Sequence, residues 1–284
     1  MDQSKKIRVL RIINRFNIGG PVYNAVLLSA YLPGDYETLL VGGNPEEGEA
    51  NALYIATQHG VKPLLLPEMK RNPNLISDLK TLKKLKAIIK EFKPDIVHTH
   101  ASKAGALGRR AAKQCKVPVI VHTFHGHIFH SYFSFWKTQL YRIIEKRLAK
   151  ISNGIIAISP KQKEELSETF KICHPNKIEV VPLGFDLSPF HQNKEEKRKV
   201  TRAEHHLKDS ELAIAIIGRL APIKNHDLFL DSVEKVAAHP RRRQNCYVSE
   251  RGGEQHDGTA TEWTAAPVLL VQSGRPRPAP TPLA

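Results

Sequence analysis

The chain has 284 residues, a formal net charge of +15, 41% hydrophobic and 25% charged residues, and three cysteines. These figures suit one large or two medium globular domains and exclude wholesale disorder, collagen or a coiled coil as a description of the whole. No apolar run approaches the ~20 residues of a membrane span, and the N-terminal residues do not read as a signal peptide. Cys115, Cys173 and Cys246 form neither a CxxC nor a disulfide framework, so a reducing cytoplasm is the expected setting. The basic balance points to a polyanionic partner: nucleic acid, an anionic membrane surface or a phosphorylated small molecule. A plain solvated basic surface is the bland alternative.

Strands are expected over residues 6–13, 36–42, 62–66, 95–99, 118–123, 154–158 and 178–181. Helices are expected over residues 22–32, 50–59, 75–92, 103–115, 136–150 and 160–170. In the helix over 75–92, Leu75, Leu79, Leu82, Leu85, Ile89 and Phe92 fall at three- and four-residue steps, with Lys80, Lys83, Lys84 and Lys90 elsewhere on the wheel. Strand–helix alternation of this kind predicts a doubly wound parallel sheet covered on both faces, over residues 1–185. Residues 186–210 read as a charged linker with a surface helix. At residue 211 a fresh unit opens: ELAIAIIGRL is a strand entering a glycine turn, followed by a helix over 227–238. It reads as the first βα unit of a second doubly wound domain over 211–239, and one such unit cannot bury a core of its own.

The composition changes at Pro240. From there to Ala284 the chain has no Lys, Ile or Phe and carries RRR, ERGGEQHDGTATEW and GRPRPAPTP. Only residues 266–272 could form a short strand. The switch falls inside an expected helix, so residues 240–284 are read as an aberrant, disordered tail produced by a change of reading frame. A natural disordered tail is the alternative.

Ligands of doubly wound sheets sit at the carboxyl ends of the strands, and four such ends carry informative residues. Gly19-Gly20-Pro21 allows close backbone approach and places Pro at a helix start whose free N–H groups favour an anion. The G-x-G-x-x-G spacing is absent, and a plain tight turn is the competing reading. His100, Ser102 and Lys103 follow the fourth strand and could meet a polar ligand, or simply close the sheet. The run VHTFHGHIFH holds His122, His125, His127 and His130. Clustered imidazoles raise a metal site, but no thiol or carboxylate joins the run and no H-E-x-x-H is present. A strand-end histidine is better placed as an acid/base or a partner of a sugar hydroxyl. Last, Arg219 and Lys224 sit in the loop before a helix, where a fork and a point charge suit a diphosphate. The stretch IFHSYFSFW, beside Lys137, Arg142, Lys146, Arg147 and Lys150, suits either a lipid interface or packing under the sheet.

Four segments taken together resemble the family 4 nucleotide-sugar glycosyltransferases of GT-B fold: INRFNIGGPVYNAVLLS, DIVHTHASKAGALGRRAA with PVIVHTFHGH, VVPLGFDLSPF, and IIGRLAPIKNHDLFLDSV. The resemblance runs from about residue 6 to 238. It implies retaining transfer of a sugar from a nucleotide-diphosphate sugar to an acceptor, with residues 1–185 on the acceptor side. It also implies that Gly19 and Gly20 face the donor phosphates, that His125 is the active-site histidine, and that Arg219 and Lys224 neutralise the leaving diphosphate. No cofactor or metal is then required, since the two cations stabilise the charge that develops. Many relatives build lipid-linked precursors of envelope polysaccharides. This implies a lipid-linked or saccharide acceptor, a cytoplasmic protein peripheral to the inner face of the plasma membrane, and no specific nucleic acid. The family's donor half and its E-x7-E motif have no match after Ala238. Glu254 and Glu262 have the spacing without the strand–loop–helix setting. The chain is therefore expected to be inactive by itself. Two other readings are a metal-dependent hydrolase built on His98, His100 and the histidine run, and a non-catalytic basic domain that binds anionic lipid or nucleic acid.

Overall fold

The computed structural model describes residues 5–47, 49–126, 135–209, 212–216, 225–238, 246–249 and 268–271. The chain divides into two units, Met1–Phe185 and Asp186–Ala284.

The first unit is built on seven parallel strands: β1 (Ile7–Arg15), β2 (Tyr36–Gly43), β3 (Leu64–Leu65), β4 (Ile96–His100), β5 (Val119–Phe124), β6 (Gly154–Ala157) and β7 (Ile178–Val180). Their order across the sheet is β3-β2-β1-β4-β5-β6-β7. The chain reverses its direction of travel between β1 and β4, which opens a crevice at their carboxyl ends. The connecting helices are α1 (Gly20–Ala30), α2 (Leu53–Gln58), α3 (Leu75–Phe92), α4 (Ser102–Gln114), α5 (Phe135–Ile151) and α6 (Pro160–Glu164).

Strand β1 reads as apolar on both faces because it is covered on both. Leu10 and Ile12 pack with Leu85 and Ile89 of α3 and with the alanines of α4. Ile13 and Phe16 pack with Val22, Ala25 and Val26 of α1 and with Ile55 of α2. A third cluster joins Phe124, Ile155 and Ala157 to Ala149 of α5 and to Leu166 and Phe170. Helix α4 lies close to the sheet because two of its residues have no side chain. A Cβ at Gly108 would sit 2.6 Å from Thr99 Cγ2, and one at Gly105 would sit 2.5 Å from His122 Cε1.

Two expectations change in detail. The helix expected over 160–170 ends its α-helical part at Glu164 and continues as a π-helical turn, Glu165–Thr169. The Phe170 N–H reaches back to the Glu165 carbonyl at 2.8 Å, and Leu166 and Phe170 enter the third cluster. The single apolar stripe read along α3 is also only partly a core face. Thr81, Leu85 and Ile89 are buried, whereas Leu75, Ile76 and Leu79 are 76%, 67% and 57% exposed.

The second unit holds α7 (Ser188–His191), α8 (Lys194–Glu204), β8 (Leu212–Ala215), α9 (His226–Ala238), β9 (Cys246–Ser249) and β10 (Val268–Val271). Val233 is buried there, against Ile214, Phe229 and Leu230. The sequence treats β8 as the opening strand of a parallel sheet. In the structure it pairs antiparallel with β10, which pairs antiparallel with β9. Both β9 and β10 fall within the segment read as a disordered tail. The rest of that segment lies outside the described residues.

Candidate active site

The carboxyl edge of the sheet gathers most of the residues singled out by sequence. After β1 the chain is pinned at three points: Phe16 N–H to the Gly43 carbonyl at 3.0 Å, Ile18 N–H to the Ala50 carbonyl at 3.1 Å, and Ala52 N–H to the Phe16 carbonyl at 2.8 Å. Gly19 is the N-cap of α1 in extended backbone, and Pro21 occupies the first turn. A Cβ on Gly20 would meet nothing within 4 Å, and one on Gly19 would touch only Pro21 at 3.7 Å. Neither glycine is demanded by packing, so both leave open space in front of a helix N-terminus that carries no side-chain cap.

The end of β4 is strained. Ala101 has φ 61° and ψ 163° and caps α4 without a side-chain hydrogen bond. An L-residue enters this region only when its surroundings over-determine it, and such outliers cluster at functional sites. Ser102 opens α4 and is half-buried. The Lys103 Nζ is held by the Asp78 carboxylate at 2.6 Å and donates to the Asn72 carbonyl at 2.7 Å. That ammonium therefore ties the start of α4 to the start of α3.

Register sorts the histidines by parity. His98 and His100 alternate with Thr99 along β4, and Thr99 pairs with His122 across to β5. On one face, His98 Nε2 lies 2.7 Å from Thr123 Oγ1, and His100 Nδ1 lies 2.9 Å from His125 Nε2. The His98 and His100 rings are 4.2 Å apart, and the His100 and His125 rings stack at 5.2 Å. On the other face, His122 Nδ1 bonds Thr99 Oγ1 at 2.8 Å beneath α4. There Arg109 donates to the Gly105 carbonyl at 2.9 Å and pairs with Glu145 of α5 at 2.7 Å. Gly126, immediately after His125, has φ 141°, a conformation that favours glycine.

These imidazoles are neutral. Burial, helped by the charge of Arg11, lowers His98 to about 3. Burial lowers His125 to about 4. Burial first, and then the neighbouring rings and Arg11, push His100 well below the usual range. Burial and the Arg109 charge do the same for His122. Arg11 is itself lowered to about 10 by burial, and its guanidinium donates to Ser29 Oγ at 3.1 Å.

The His100–His125 contact holds one proton between two nitrogens. His100 Nε2 and His125 Nδ1 have no hydrogen-bond partner among the described residues. The positive field of Arg11 favours a bare lone pair on His100 Nε2 over an orphaned N–H. The proton of His100 then sits on Nδ1 and is donated to His125 Nε2. His125 is left with its own proton on Nδ1, an atom that is also buried and without a hydrogen-bond partner among the described residues.

The structure thus brings His100, His125, Ser102, Gly19 and Gly20 to one edge of the sheet and assigns Lys103 to a helix–helix tie. Arg219, Lys224, His127 and His130 lie outside the described residues. Among the described residues, no group of three or more His, Cys, Asp or Glu is placed to hold a metal ion. Sequence reasoning missed Arg11 and the Arg109–Glu145 pair. A charged residue inside a strand as apolar as β1 was the available signal.

A doubly wound sheet of this order places its ligand site at the carboxyl ends of the strands beside the switch point, where Gly19, Gly20, His100 and His125 lie. The chain belongs to glycosyltransferase family 4, whose family model matches residues 18–189. It is similar to the UDP-Gal:alpha-D-GlcNAc-diphosphoundecaprenol alpha-1,3-galactosyltransferase of Escherichia coli, with 34% identity over 197 residues, covering 68% of this chain and 50% of that protein. It is also similar to the capsular polysaccharide biosynthesis glycosyltransferase CapM of Staphylococcus aureus, with 32% identity over 164 residues, covering 56% and 42%. The chain spans about half the length of the curated relatives it matches. Among solved structures, a glycosyltransferase from Rickettsia africae matches with a TM-score of 0.59 at 19% identity, over 84% of this chain and 58% of that one. A UDP-GlcNAc 2-epimerase from Neisseria meningitidis matches with a TM-score of 0.53 at 18% identity, over 72% and 56%. At these identities the two structures speak for the fold.

Proposed function

We propose that the chain represents the acceptor-side part of a retaining glycosyltransferase that moves a sugar from a nucleotide-diphosphate sugar to a lipid-linked acceptor in envelope polysaccharide synthesis. The observation that carries this reading is the 34% identity to a galactosyltransferase whose named acceptor is a diphosphoundecaprenol-linked sugar. That match is joined to a site geometry with a role for each residue. The open space at Gly19 and Gly20 lets donor phosphates approach the start of α1. Neutral His125 presents a hydrogen bond to a sugar hydroxyl and orients it, since a group lowered to about 4 holds no titrating proton at neutral pH. By the family resemblance, Arg219 and Lys224 stabilise the departing diphosphate as charge grows on it, and that logic calls for no metal. The protein works in the cytoplasm at the inner face of the membrane. Among the described residues no helix is long and apolar enough to cross a membrane.

The same reading holds that the 284-residue chain does not turn over by itself, because the residues after Ala238 carry no counterpart of the donor half. The test has two parts. The purified chain is incubated with labelled nucleotide sugars and a lipid-diphosphate-linked saccharide, and no transfer is expected; turnover would overturn the inactivity. The coding DNA is then read across codons 230 to 250 in all three frames. A frame that continues into a donor half with E-x7-E in context supports the reading. Once that half is restored, transfer is expected to appear and to fall about 10²-fold or more in His125→Ala. If no frame continues, or if transfer in the restored protein is indifferent to His125, the reading fails.

A further inference from the structure

Strand β1 buries a cation that no described carboxylate neutralises. Arg11 is 3% exposed and stands between the buried Leu10 and Ile12. Its register partners are Leu40 of β2 and His98 of β4. Among the described residues its one hydrogen bond runs from Nη1 to Ser29 Oγ of α1, at 3.1 Å, and its buried Nε has no partner. Leu40, His98 and Ser29, which meet it from β2, β4 and α1, carry no charge. The other two buried arginines of the first unit are matched, Arg15 with Glu49 and Arg109 with Glu145. A guanidinium offers five N–H donors, and burying one without a counter-charge is costly, so an apolar side chain would serve packing better. What Arg11 supplies, and an apolar residue cannot, is a positive field.

That field falls on a choice the hydrogen bonds leave open. The His100–His125 contact, 2.9 Å between Nδ1 and Nε2, holds one proton. If His100 donates it, a bare His100 Nε2 and a His125 Nδ1–H are left without partners; if His125 donates it, a His100 Nε2–H and a bare His125 Nδ1 are. Each placement orphans one donor and one acceptor, so local bonding does not decide between them. Arg11 acts on both His98 and His100 and opposes positive charge on either ring. We propose that Arg11 is a positioning residue of the site: from beside His98 its unpaired charge breaks the tie, holding the shared proton on His100 Nδ1 and leaving His125 protonated on Nδ1. The sign is the reverse of a carboxylate–histidine pair, in which the acidic partner favours the imidazolium. A cation in that place keeps the row His98, His100, His125 neutral and fixes which atom of His125 carries the proton. What this does for transfer rests on the role proposed for His125, whereas the proton arrangement itself does not.

The test reads the nitrogen-15 shifts of the imidazoles in the 284-residue chain at pH 7.5, with no donor or acceptor present, so its outcome is independent of transfer. In the unsubstituted chain His125 is expected to show a protonated Nδ1 and a bare Nε2. Arg11→Met removes the charge and keeps an apolar side chain of similar length. The preference between the two placements is then expected to weaken about tenfold, and both His125 shifts to move toward the average of protonated and bare nitrogen. Arg11→Lys keeps the charge and is expected to hold the original shifts, a split between the two variants that a purely structural role would not produce. Urea unfolding shows whether each variant keeps the folded state. Where Arg11→Met does not fold, the unsubstituted chain is titrated from pH 7.5 to 5.5, and His98 and His100 are expected to stay neutral throughout. The proposal is overturned by an Nε2 proton on His125 in the unsubstituted chain, by unchanged His125 shifts in folded Arg11→Met, by equal shifts in the Met and Lys variants, or by an imidazolium at His98 or His100 above pH 5.5.

Discussion

Acidification should unfold this protein well above the pH at which carboxylates titrate. His98 and His125 are buried and neutral, at about 3 and about 4, against 6.5 for an ordinary histidine. Below pH 6.5 the unfolded chain takes up protons that the folded chain refuses, so stability is complete above about 6.5 and falls as the pH drops toward the folded values. At pH 5 each of the two has withdrawn about 2 kcal/mol, or about 4 kcal/mol together. His100 and His122 shift in the same direction, from burial and neighbouring charge, and add to the loss. The paired carboxylates do not mask this limb. Glu49 is lowered by Arg15, and Glu68 by Lys84, so what they contribute is present above 4.5 and fades only below it. A loss of 4 kcal/mol is a large part of the ~5–15 kcal/mol typical of a domain. The assay is urea unfolding followed by circular dichroism between pH 7.5 and 5. The midpoint should fall by at least about 2 M, taking a slope of ~2 kcal/mol/M, and by about 1 M less in His98→Gln. A midpoint that moves less than about 0.5 M over that range would refute the claim that these rings are buried and uncharged.

Three further outcomes follow from local geometry. Glu145→Ala leaves the fully buried Arg109 guanidinium without its carboxylate and should cost about 3–5 kcal/mol; the double variant Arg109→Met/Glu145→Leu should recover most of it, and urea unfolding of the three variants checks both. Gly105→Ala drives a methyl group to 2.5 Å from His122 Cε1 and should cost about 1–3 kcal/mol, whereas Gly20→Ala meets nothing and should stay within about 0.5 kcal/mol. Nitrogen-15 spectra of the imidazoles should show His125 protonated on Nδ1, retained in His100→Asn, whose amide can donate, and switched to Nε2 in His100→Asp, whose carboxylate accepts. An Nε2 proton in the unsubstituted chain would sink the tautomer assigned to this pair.

Much of the first unit is legible in the sequence because its elements are bounded by local chemistry. Helix α3 spans Leu75–Phe92, as its periodicity predicts, since Asn74 caps one end and Lys93 closes the other in a left-handed conformation. The same periodicity misjudged which of its apolar residues are buried. A step of three or four marks one side of a helix but does not reveal how far the sheet extends beneath it. Leu85 and Ile89 are buried, whereas Leu75 and Leu79 are exposed, Leu79 lying about 120° around the helix from Leu85. Likewise, the antiparallel pairing of β8 with β10 depends on a partner more than 50 residues away, which no local pattern announces.

The histidines give the sharpest case of what register adds. In the sequence, His98 and His100 stand close to the run His122, His125, His127 and His130, and a metal site is a fair reading of them. The parity of β4 sends His98 and His100 to one side of the sheet, and the pairing of Thr99 with His122 sends His122 to the other. The four described imidazoles fall into two hydrogen-bonded groups on opposite faces, while His127 and His130 lie outside the described residues. His122, under α4 and beside Arg109, is packing chemistry: it fills the space that Gly105 leaves and answers Thr99. His100 and His125 lie at the carboxyl edge of the sheet, and each bonds the other through one nitrogen, at 2.9 Å. With a single proton in that contact, the tautomer of one ring sets the tautomer of the other, so what His125 can offer depends on the proton that His100 carries.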